Sequence, residues 1–157
     1  MEINGKLISL VPYTKERVHE FYCTYTSDPL MRNDIYSYNL EKIDEFYYNK
    51  VLDPSRHFFG ISLSGITIGE IQLKYIDVEQ GSGTLSIHLS NDTFKNHGYG
   101  TEAVKLMITY AFNDLGLKII YANSVHRNKR SQHILEILGF QYIHDDDLLR
   151  YYKLERI

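Results

Sequence analysis

Residues 95–103 of this 157-residue chain read KNHGYGTEA, a glycine-rich turn that leads directly into a helical pattern. Gly98 and Gly100 let the backbone approach a ligand closely, and the first amides of a helix have no partner within that helix. These amides and the positive end of the helix dipole bind anions. Apolar residues then recur at helical spacing: Ala103, Val104, Met107, Ile108, Ala111, Phe112 and Leu115. Because they give the helix a broad buried face, we predict a phosphate-binding loop on a rigid support.

Two familiar phosphate-binding loops fit this stretch poorly. The P-loop of nucleotide hydrolases requires G-x-x-x-x-G-K-[ST], which is absent from the sequence. The dinucleotide pattern G-x-G-x-x-[G/A] is matched by Gly98, Gly100 and Ala103. That pattern also needs a carboxylate about 20 residues later to hold a ribose, and residues 123–128 read NSVHRN. A dinucleotide-binding protein therefore stays only a remote alternative.

A third phosphate-binding loop matches better and identifies a family. Residues 95–100, KNHGYG, resemble the [Q/R]-x-x-G-x-[G/A] acyl-CoA loop of the GNAT superfamily of N-acetyltransferases, with Lys95 at the Gln or Arg position. Residues 128–140, NKRSQHILEILGF, resemble the second GNAT signature, N-x-x-[SA]-x-x-x-x-E-x-x-G-F, in the expected order. The resemblance runs over residues 6–152. It is nearest to the branch that contains the ribosomal-protein alanine N-acetyltransferases and many bacterial small-molecule acetyltransferases.

The resemblance implies an α/β fold (α+β in some schemes) with residues 1–157 forming a single N-acetyltransferase domain. Its mixed, twisted sheet would have about six to seven strands and about four flanking helices. The fourth and fifth strands, residues 84–89 and 118–125, would splay apart to form the ligand site.

Local patterns agree with this order of elements. Helices are predicted at residues 14–25, ended by Ser27-Asp28-Pro29, at 40–51, after the glycine loop, and within the second signature, ended by Gly139. Strands are predicted at residues 7–11, stopped by Pro12, at 57–63 and 67–76, joined by a tight turn at Ser64-Gly65, and at 140–143 and 149–154.

The resemblance also implies acetyl-CoA as co-substrate and assigns residues to it. The pantetheine arm would pair with the strand end formed by Ile87, His88 and Leu89, as an added strand does. Asn128 would bind the pantetheine arm, and Ser131 would lie near the sulfur. The pyrophosphate would be held by the loop and the first helical turn, residues Lys95, Asn96, His97, Gly98, Tyr99, Gly100 and Thr101. Candidates for binding the 3'-phosphate are Arg127, Lys129 and Arg130.

The implied reaction is direct attack of a primary amine on the thioester within a ternary complex. A primary amine with a pKa near 10.4 is almost entirely protonated at pH 7, so it must first lose a proton. The backbone N–H of Leu89 would polarise the thioester carbonyl, and a side chain would protonate the departing thiolate.

The catalytic residues are where the sequence departs from the family pattern. The glutamate of many relatives is replaced by Thr84, and the tyrosine acid by Leu135. In the ribosomal branch that leucine is common and the serine three residues after the asparagine is the proposed thiolate donor, so the resemblance implies this role for Ser131. His88 and Glu70 are replacement bases. A strand histidine is often only a structural hydrogen-bonding group, and Glu70 lies in an alternating run that also fits a solvent-facing carboxylate.

Composition excludes several function classes. The net charge of -3 and the absence of a basic run longer than residues 127–130 argue against a nucleic-acid partner. No apolar run approaches the roughly 20 residues that span a bilayer, and the first residues lack the pattern of a secretory signal, so we expect a cytoplasmic protein without membrane contact. Cys23 is the one cysteine, and the histidines lack metal-binding spacing, so we expect no disulfide and no metal.

These observations predict an acyl-CoA-dependent N-acetyltransferase, monomeric or homodimeric, that acts on a small-molecule amine or a protein N-terminus. A CoA-binding sensor or partner module that has lost turnover remains open because of Thr84 and Leu135. The sequence does not identify the acceptor, which could be a peptide N-terminus, polyamine, amino sugar, amino acid or antibiotic.

Overall fold

The computed structural model describes residues 1–26 and 36–157, which form one open sheet with helices on both faces. In this part of the chain the sheet has eight strands in the order β1-β2-β3-β4-β5-β6-β8-β7. Their bounds are β1 Ile3–Asn4, β2 Ser9–Pro12, β3 His57–Leu63, β4 Ile66–Asp77, β5 Ser82–Leu89, β6 Ile119–Val125, β7 Gln141–Asp145 and β8 Leu149–Glu155. This mixed α/β architecture confirms the predicted fold class. The predicted helix end at Ser27-Asp28-Pro29 lies outside the described residues.

The described residues contain four α-helices, as predicted. Their bounds are α1 Lys15–Thr24, α2 Leu40–Phe46, α3 Tyr99–Thr109 and α4 Lys129–Ile137. One π-helical turn extends α2, over Tyr47–Val51, and another extends α3, over Tyr110–Asp114. Thr14 caps α1 by accepting a hydrogen bond from the Arg17 amide at 3.3 Å, which agrees with the predicted start.

The splay of the sheet lies between β5 and β6, as the resemblance implied. These two strands are parallel and pair at Ser82↔Ile119, Gly83↔Ile120 and Thr84↔Tyr121. Beyond Thr84 and Tyr121, β5 continues to Leu89 and β6 continues to Val125, but in the described register the two strands no longer pair with each other. The two strands therefore frame a wedge-shaped gap at their carboxyl ends.

The two faces of the sheet pack against different helices. On one face, Ile71 and Leu73 of β4 belong to the main core together with Met107 of α3. The opposite face is covered by a smaller cluster built from Tyr13, Val18 of α1 and Ile43 of α2. Because strand side chains alternate between faces, β4 sends its apolar residues to the α3 side. Glu70 projects to the α1 side, where its carboxylate accepts hydrogen bonds from Tyr13 and Tyr22.

Two local features test the turn and strand predictions. Ser64 and Gly65 both have positive φ, at 51° and 86°, as a two-residue hairpin turn requires, so the predicted turn is confirmed. The prediction that the first strand stops at Pro12 is confirmed, because β2 ends at Pro12, whose Cα partner is Phe59. Strand β1, which was not predicted, pairs only with Ser9 and Leu10. Pro12 has no backbone N–H, but no β1 residue pairs with Pro12, so no hydrogen bond between β1 and β2 is lost.

Candidate active site

A cleft of about 260 Å³ fills the gap between β5 and β6. The predicted site residues that line it come from three elements: Ile87, His88 and Leu89 of β5, Lys95 and Gly100 at the glycine loop, and Asn128 and Ser131 at the start of α4. Thr84 and Leu135, the two departures from the family pattern, also line this cleft. The two sequence signatures thus meet at one cavity.

The end of β5 presents backbone groups to the cleft. The Ser90 amide donates to the Ile68 carbonyl at 2.7 Å, so the amide of Ser90 points toward β4. Amides alternate in direction along an antiparallel ladder, and those of Leu89 and Ile87 therefore point the other way, toward β6. Since β6 has diverged there, the gap can admit an extended chain that pairs with these amides.

The glycine loop has the backbone geometry of an anion cradle. Gly98 is the N-cap residue of α3 and has a φ of 83°, and Asn96 also has a positive φ of 64°. No side chain caps this helix end, so its first amides remain available to a ligand. The predicted residues Asn96, His97, Gly98, Tyr99 and Thr101 surround this helix start and are not part of the cleft lining.

Gly100 faces the end of β5 across a narrow space. A Cβ atom at this position would lie 3.9 Å from Leu89 Cδ1 and 4.0 Å from Ile87 Cδ1. These are ordinary van der Waals distances, so a small side chain would fit at Gly100 but would occupy part of the space between the helix start and the strand end.

Glu102, in the first turn of α3, fixes the position of this helix start. Its Oε1 accepts hydrogen bonds from the amides of Leu7 at 2.8 Å and Ile8 at 2.9 Å. Burial raises the pKa of this carboxyl, but the hydrogen bonds from Ile8 and Leu7 outweigh burial and leave the pKa below its usual value. The anion cradle is thereby tied to the segment before β2, a contact that sequence reasoning missed.

Asn128 has a structural role in addition to the role that the resemblance implies. It is 6% exposed and caps α4, with its Oδ1 accepting from the Ser131 amide at 3.1 Å. Gln132, also buried, donates from Nε2 to the carbonyls of Val125 at 3.1 Å and His126 at 3.0 Å. These bonds hold the start of α4 against the end of β6, which places Ser131 at the cleft.

The three basic residues suggested for the 3'-phosphate differ in their position relative to the cleft. Arg130 lines the cleft, whereas Arg127 and Lys129 are exposed and lie outside its lining. Arg130 is therefore the one of these three residues that a ligand in the cleft would meet.

Glu70 lies on β4 beneath the cleft region and is 4% exposed. Its carboxylate accepts from the hydroxyl groups of Tyr13 at 2.8 Å and Tyr22 at 2.6 Å. Burial and the nearby Glu70 charge raise the pKa of both phenols, so both stay protonated and act as donors. The solvent-facing interpretation of Glu70 is therefore wrong.

His88 is the cross-strand partner of Glu70 in the β4–β5 ladder. Directly opposite residues in an antiparallel pair project to the same face of the sheet. The two candidate bases are thus neighbours, but only His88 lines the cleft.

A second cavity of about 210 Å³ adjoins the first. Its lining consists of Tyr22 and Tyr25, which lie at the end of α1, Tyr36, Ile43 and Phe46 of α2, and His88. We call it the tyrosine pocket. Tyr25 and His88 line both cavities, so the two meet at these side chains.

The sequence contained a weak signal for the tyrosine pocket. Tyr22 and Tyr25 share a face of the first helix, but that spacing equally fits a buried core face, and no motif linked them to Tyr36 or Phe46.

Within residues 1–26 and 36–157, no group of three or more His, Cys, Asp or Glu side chains is arranged to hold a metal ion. In the same part of the chain, no helix has the length and apolar character needed to cross a bilayer.

Comparison with known proteins places this geometry in a family. The sequence model of the acetyltransferase (GNAT) domain family matches residues 8–141. The chain belongs to the GNAT acetyltransferase family. The GNAT prediction from the two signatures is therefore confirmed at the level of the family.

Among curated proteins, the chain is 26% identical over 155 residues to human alpha/beta-tubulin-N-acetyltransferase 9, covering 88% of this chain and 74% of that protein. It is 30% identical over 106 residues to "Probable N-acetyltransferase YjcK" of Bacillus subtilis (strain 168), covering 67% of this chain and 53% of that protein. Among solved structures, the microcin C7 self-immunity acetyltransferase MccE, in complex with acetyl-CoA and AMP, superposes with a TM-score of 0.78 at 16% identity. That match covers 97% of this chain and 94% of the MccE chain and shows the shared fold.

Proposed function

We propose that this GNAT protein transfers the acetyl group of acetyl-CoA to a primary amine by direct attack in a ternary complex. The observation that carries the proposal is the meeting of two cavities at Tyr25 and His88. One cavity has the geometry for a thioester donor, and the other can hold an acceptor next to it.

Acetyl-CoA would lie along the splayed strands. Its pantetheine arm pairs with the amides of Ile87 and Leu89, which face the gap, and its pyrophosphate binds the free amides at the start of α3 around Gly98. Lys95 and Arg130, which line the cleft, lie where they can neutralise phosphate charge. The Nδ2 group of Asn128 is a donor for the pantetheine arm, since its Oδ1 caps α4.

The reaction forms one C–N bond and breaks one C–S bond. A base takes one proton from the ammonium, the neutral amine attacks the thioester carbonyl, and the carbonyl oxygen develops negative charge. The Leu89 amide, which points into the gap, stabilises that charge. Collapse expels the CoA thiolate, and the proton that leaves the new amide nitrogen balances the one that the thiolate takes up.

We assign the base to His88 and a positioning role to Glu70. His88 lies at the junction of the two cavities, where the attacking nitrogen must pass. Glu70 is enclosed by two phenols and is absent from both cavity linings. A carboxylate beside an imidazole orients the ring and stabilises its protonated form.

Ser131 is the candidate donor to the departing thiolate. It is half-buried, lines the cleft and sits in the first turn of α4. Leu135, which replaces the family tyrosine one turn later, is buried in the core and offers no proton. Thr84 lies at the closed end of the cleft, five residues before Leu89, so a base at Thr84 would be remote from the strand end.

We further propose that the protein belongs to the branch of the ribosomal-protein alanine N-acetyltransferases and that residues 1–157 form a single domain. We also propose that it is cytoplasmic and either monomeric or homodimeric. The acceptor is a small-molecule amine or a protein N-terminus, and the pairing of Ser131 with Leu135 supports the ribosomal branch through the resemblance alone.

An acetyl-transfer screen over peptide N-termini, polyamines, amino sugars, amino acids and aromatic amines tests this function. Acetylated product should be detected by mass spectrometry. An assay that detects released CoA with a thiol reagent would also detect the exposed thiol of Cys23. Saturable transfer to any amine supports the enzyme. Tight CoA binding without transfer to any class favours the CoA-binding module, and NADH binding tighter than CoA binding favours the dinucleotide alternative.

A further inference from the structure

The tyrosine pocket carries information about the acceptor that the sequence did not provide. It adjoins the proposed acetyl-CoA cleft at Tyr25 and His88, and an inference from it rests on the proposed function. Its volume of about 210 Å³ is below the roughly 300–1,000 Å³ typical of pockets for drug-sized ligands. The part of an acceptor that enters it must therefore be small.

The aromatic rings of the pocket pack against one another. The ring centroids of Tyr22 and Tyr25 are 5.6 Å apart, those of Tyr25 and Tyr36 are 5.1 Å apart, and those of Tyr22 and Phe46 are 5.4 Å apart. All three pairs are tilted or edge-to-face, which is a favourable arrangement. The mutual packing restrains the rings, so the walls of the pocket are formed before an acceptor arrives.

The side chain of Tyr22 is also held by a hydrogen bond to Glu70. Its hydroxyl donates to Glu70 Oε1 at 2.6 Å, and Tyr13 holds the other oxygen of the same carboxylate. The negative charge of Glu70 therefore lies one ring away from the pocket, where it adds to the negative face of the Tyr22 ring without contacting the ligand.

The described lining consists of four aromatic rings, one isoleucine and one histidine, with no carboxylate among them. Electron-rich ring faces attract an ammonium group and equally accept apolar atoms. A second ammonium farther along the acceptor would lose its hydration and find no carboxylate in this lining, which is costly. The lining thus favours one cationic group on an apolar body.

Tyr36 supplies one further recognition element. Its hydroxyl oxygen is buried and makes no hydrogen bond with the described residues. A buried polar atom without a partner is costly, and a ligand in the pocket can satisfy it. Burial raises the pKa of Tyr36 to about 12, so this hydroxyl stays protonated and both donates and accepts.

From these contacts we infer that the acceptor is a primary ammonium on a compact apolar or aromatic carrier that bears one hydrogen-bonding substituent. The rings receive the ammonium and its carrier, the Tyr36 hydroxyl binds the substituent, and His88 stands between the ammonium and the thioester. The additional charges of a polyamine would find no carboxylate among the described lining residues.

The test compares tyramine, 2-phenylethylamine, spermidine and an alanyl peptide as acceptors of the full-length protein. We expect kcat/KM for tyramine to exceed that for spermidine at least tenfold. Tyramine should also exceed 2-phenylethylamine, and Tyr36→Phe should bring these two aromatic amines to equal kcat/KM. Phe46→Leu should raise KM for both amines roughly 3- to 30-fold while leaving KM for acetyl-CoA unchanged. Tyr48→Leu, which changes an exposed ring outside the pocket, serves as the matched control.

Direct binding separates this inference from the proposed function. In the presence of CoA, tyramine should bind at least threefold more tightly than its neutral isostere 4-propylphenol, and Phe46→Leu should remove most of that difference. Acetylation of spermidine or the alanyl peptide in preference to both aromatic amines overturns the acceptor class and leaves the acetyltransferase intact. Equal affinity for tyramine and 4-propylphenol overturns the role of the rings. Absence of CoA binding and of all acetyl transfer overturns the proposed function, while the tyramine measurement still decides the pocket.

Discussion

Glu70 of β4 and His88 of β5 lie directly opposite each other in an antiparallel strand pair. Both project to the face of the sheet that α1 covers, but their surroundings differ. Glu70 is enclosed by the hydroxyl groups of Tyr13 and Tyr22, whereas His88 reaches both cavities. In the mechanism that we propose, His88 would take the proton of the amine and the buried charge of Glu70 would support it.

We predict that His88→Gln removes the acidic limb of the pH profile. With a histidine base, kcat/KM should rise with pH as the imidazole loses its proton. The variant should lose about 10²- to 10⁴-fold in kcat and retain acetyl-CoA affinity. The measurement is kcat/KM for the best acceptor between pH 5 and 9. An unchanged limb and rate in the variant would show that the amine loses its proton to solvent before it binds.

Glu70→Gln should give a different pattern from His88→Gln. Glutamine keeps the shape but loses the charge that accepts from two phenols, and hydrogen bonds to charged groups contribute about 1.5–3 kcal/mol. We expect a loss of unfolding free energy of that order, a higher KM for the amine because Tyr22 is less restrained, and a retained pH limb that is shifted in position. Chemical denaturation and the same pH series measure these effects. If Glu70→Gln abolishes the limb and His88→Gln does not, the carboxylate is the base.

Short-range patterns predicted the helices and most of the strands, and the resemblance to the GNAT family implied the cleft between the fourth and fifth predicted strands. The spacing of glycines and apolar residues after residue 95 predicted a loop on a helix, and Ser64-Gly65 predicted a hairpin turn. The environment of Glu70 depends instead on Tyr13 and Tyr22, which are 57 and 48 residues away in the chain. An alternating strand pattern tells which residues share a face but not what covers that face. The tyrosine pocket was missed for the same reason, since α1, α2 and β5 meet there only in the folded chain.

CoA and acetyl-CoA should raise the melting temperature of the protein, and NAD and ATP should do so far less. A ligand at 100 times its Kd adds about 2.7 kcal/mol to the free energy of unfolding. Gly98→Val should abolish this shift, because Gly98 has a φ of 83° at the helix start and a branched side chain strains that backbone. Gly116→Val is the matched control, since Gly116 also has a positive φ, of 70°, but follows the C-terminal end of α3 rather than its start. A shift with ATP and none with CoA would contradict an acyl-CoA site.

Substitutions at Asn128 can separate helix capping from cofactor binding. Asn128→Ala should remove the cap of α4, at a cost of about 0.5–2 kcal/mol in stability, and should also weaken acetyl-CoA binding. Asn128→Asp keeps a capping oxygen and removes the amide donor, so it should retain stability while losing about 0.5–1.5 kcal/mol of binding free energy. Calorimetric titration with acetyl-CoA alongside thermal unfolding measures both quantities. Equal acetyl-CoA affinity in Asn128→Asp and the parent protein would leave Asn128 with the capping role alone.

Ser131→Ala should lower kcat more than it lowers acetyl-CoA affinity. A proton donor to the departing thiolate acts mainly as the C–S bond breaks, so its loss appears in the chemical step. Ser131→Cys, which restores a proton-bearing group, should recover part of the rate. Parent-like kcat in Ser131→Ala would remove this serine from the mechanism.

The Glu102 contact should make stability depend on pH in a defined direction. Its carboxylate holds the amides of Leu7 and Ile8, and those bonds set its folded pKa below the ordinary value of about 4.3. A group with a lowered folded pKa stabilises the protein above its unfolded pKa, and the contribution is lost as pH falls through the folded pKa. Glu102→Gln should therefore cost about 1 kcal/mol at pH 7, since Glu102 is only partly buried, and the difference from the parent should shrink toward zero below about pH 4.

Urea unfolding of the parent and of Glu102→Gln at several pH values tests this dependence. Glu41→Gln is the matched control, because Glu41 is also an acid in the first turn of a helix but is exposed and has the same general effect on a helix dipole. Glu102→Gln should additionally weaken CoA binding, since the start of α3 that carries the anion cradle is no longer tied to residues 7–8. A stability difference that stays constant from pH 7 to pH 3 would show that the charge of Glu102 contributes nothing. The cradle would then depend on the packing of α3 against the main core alone.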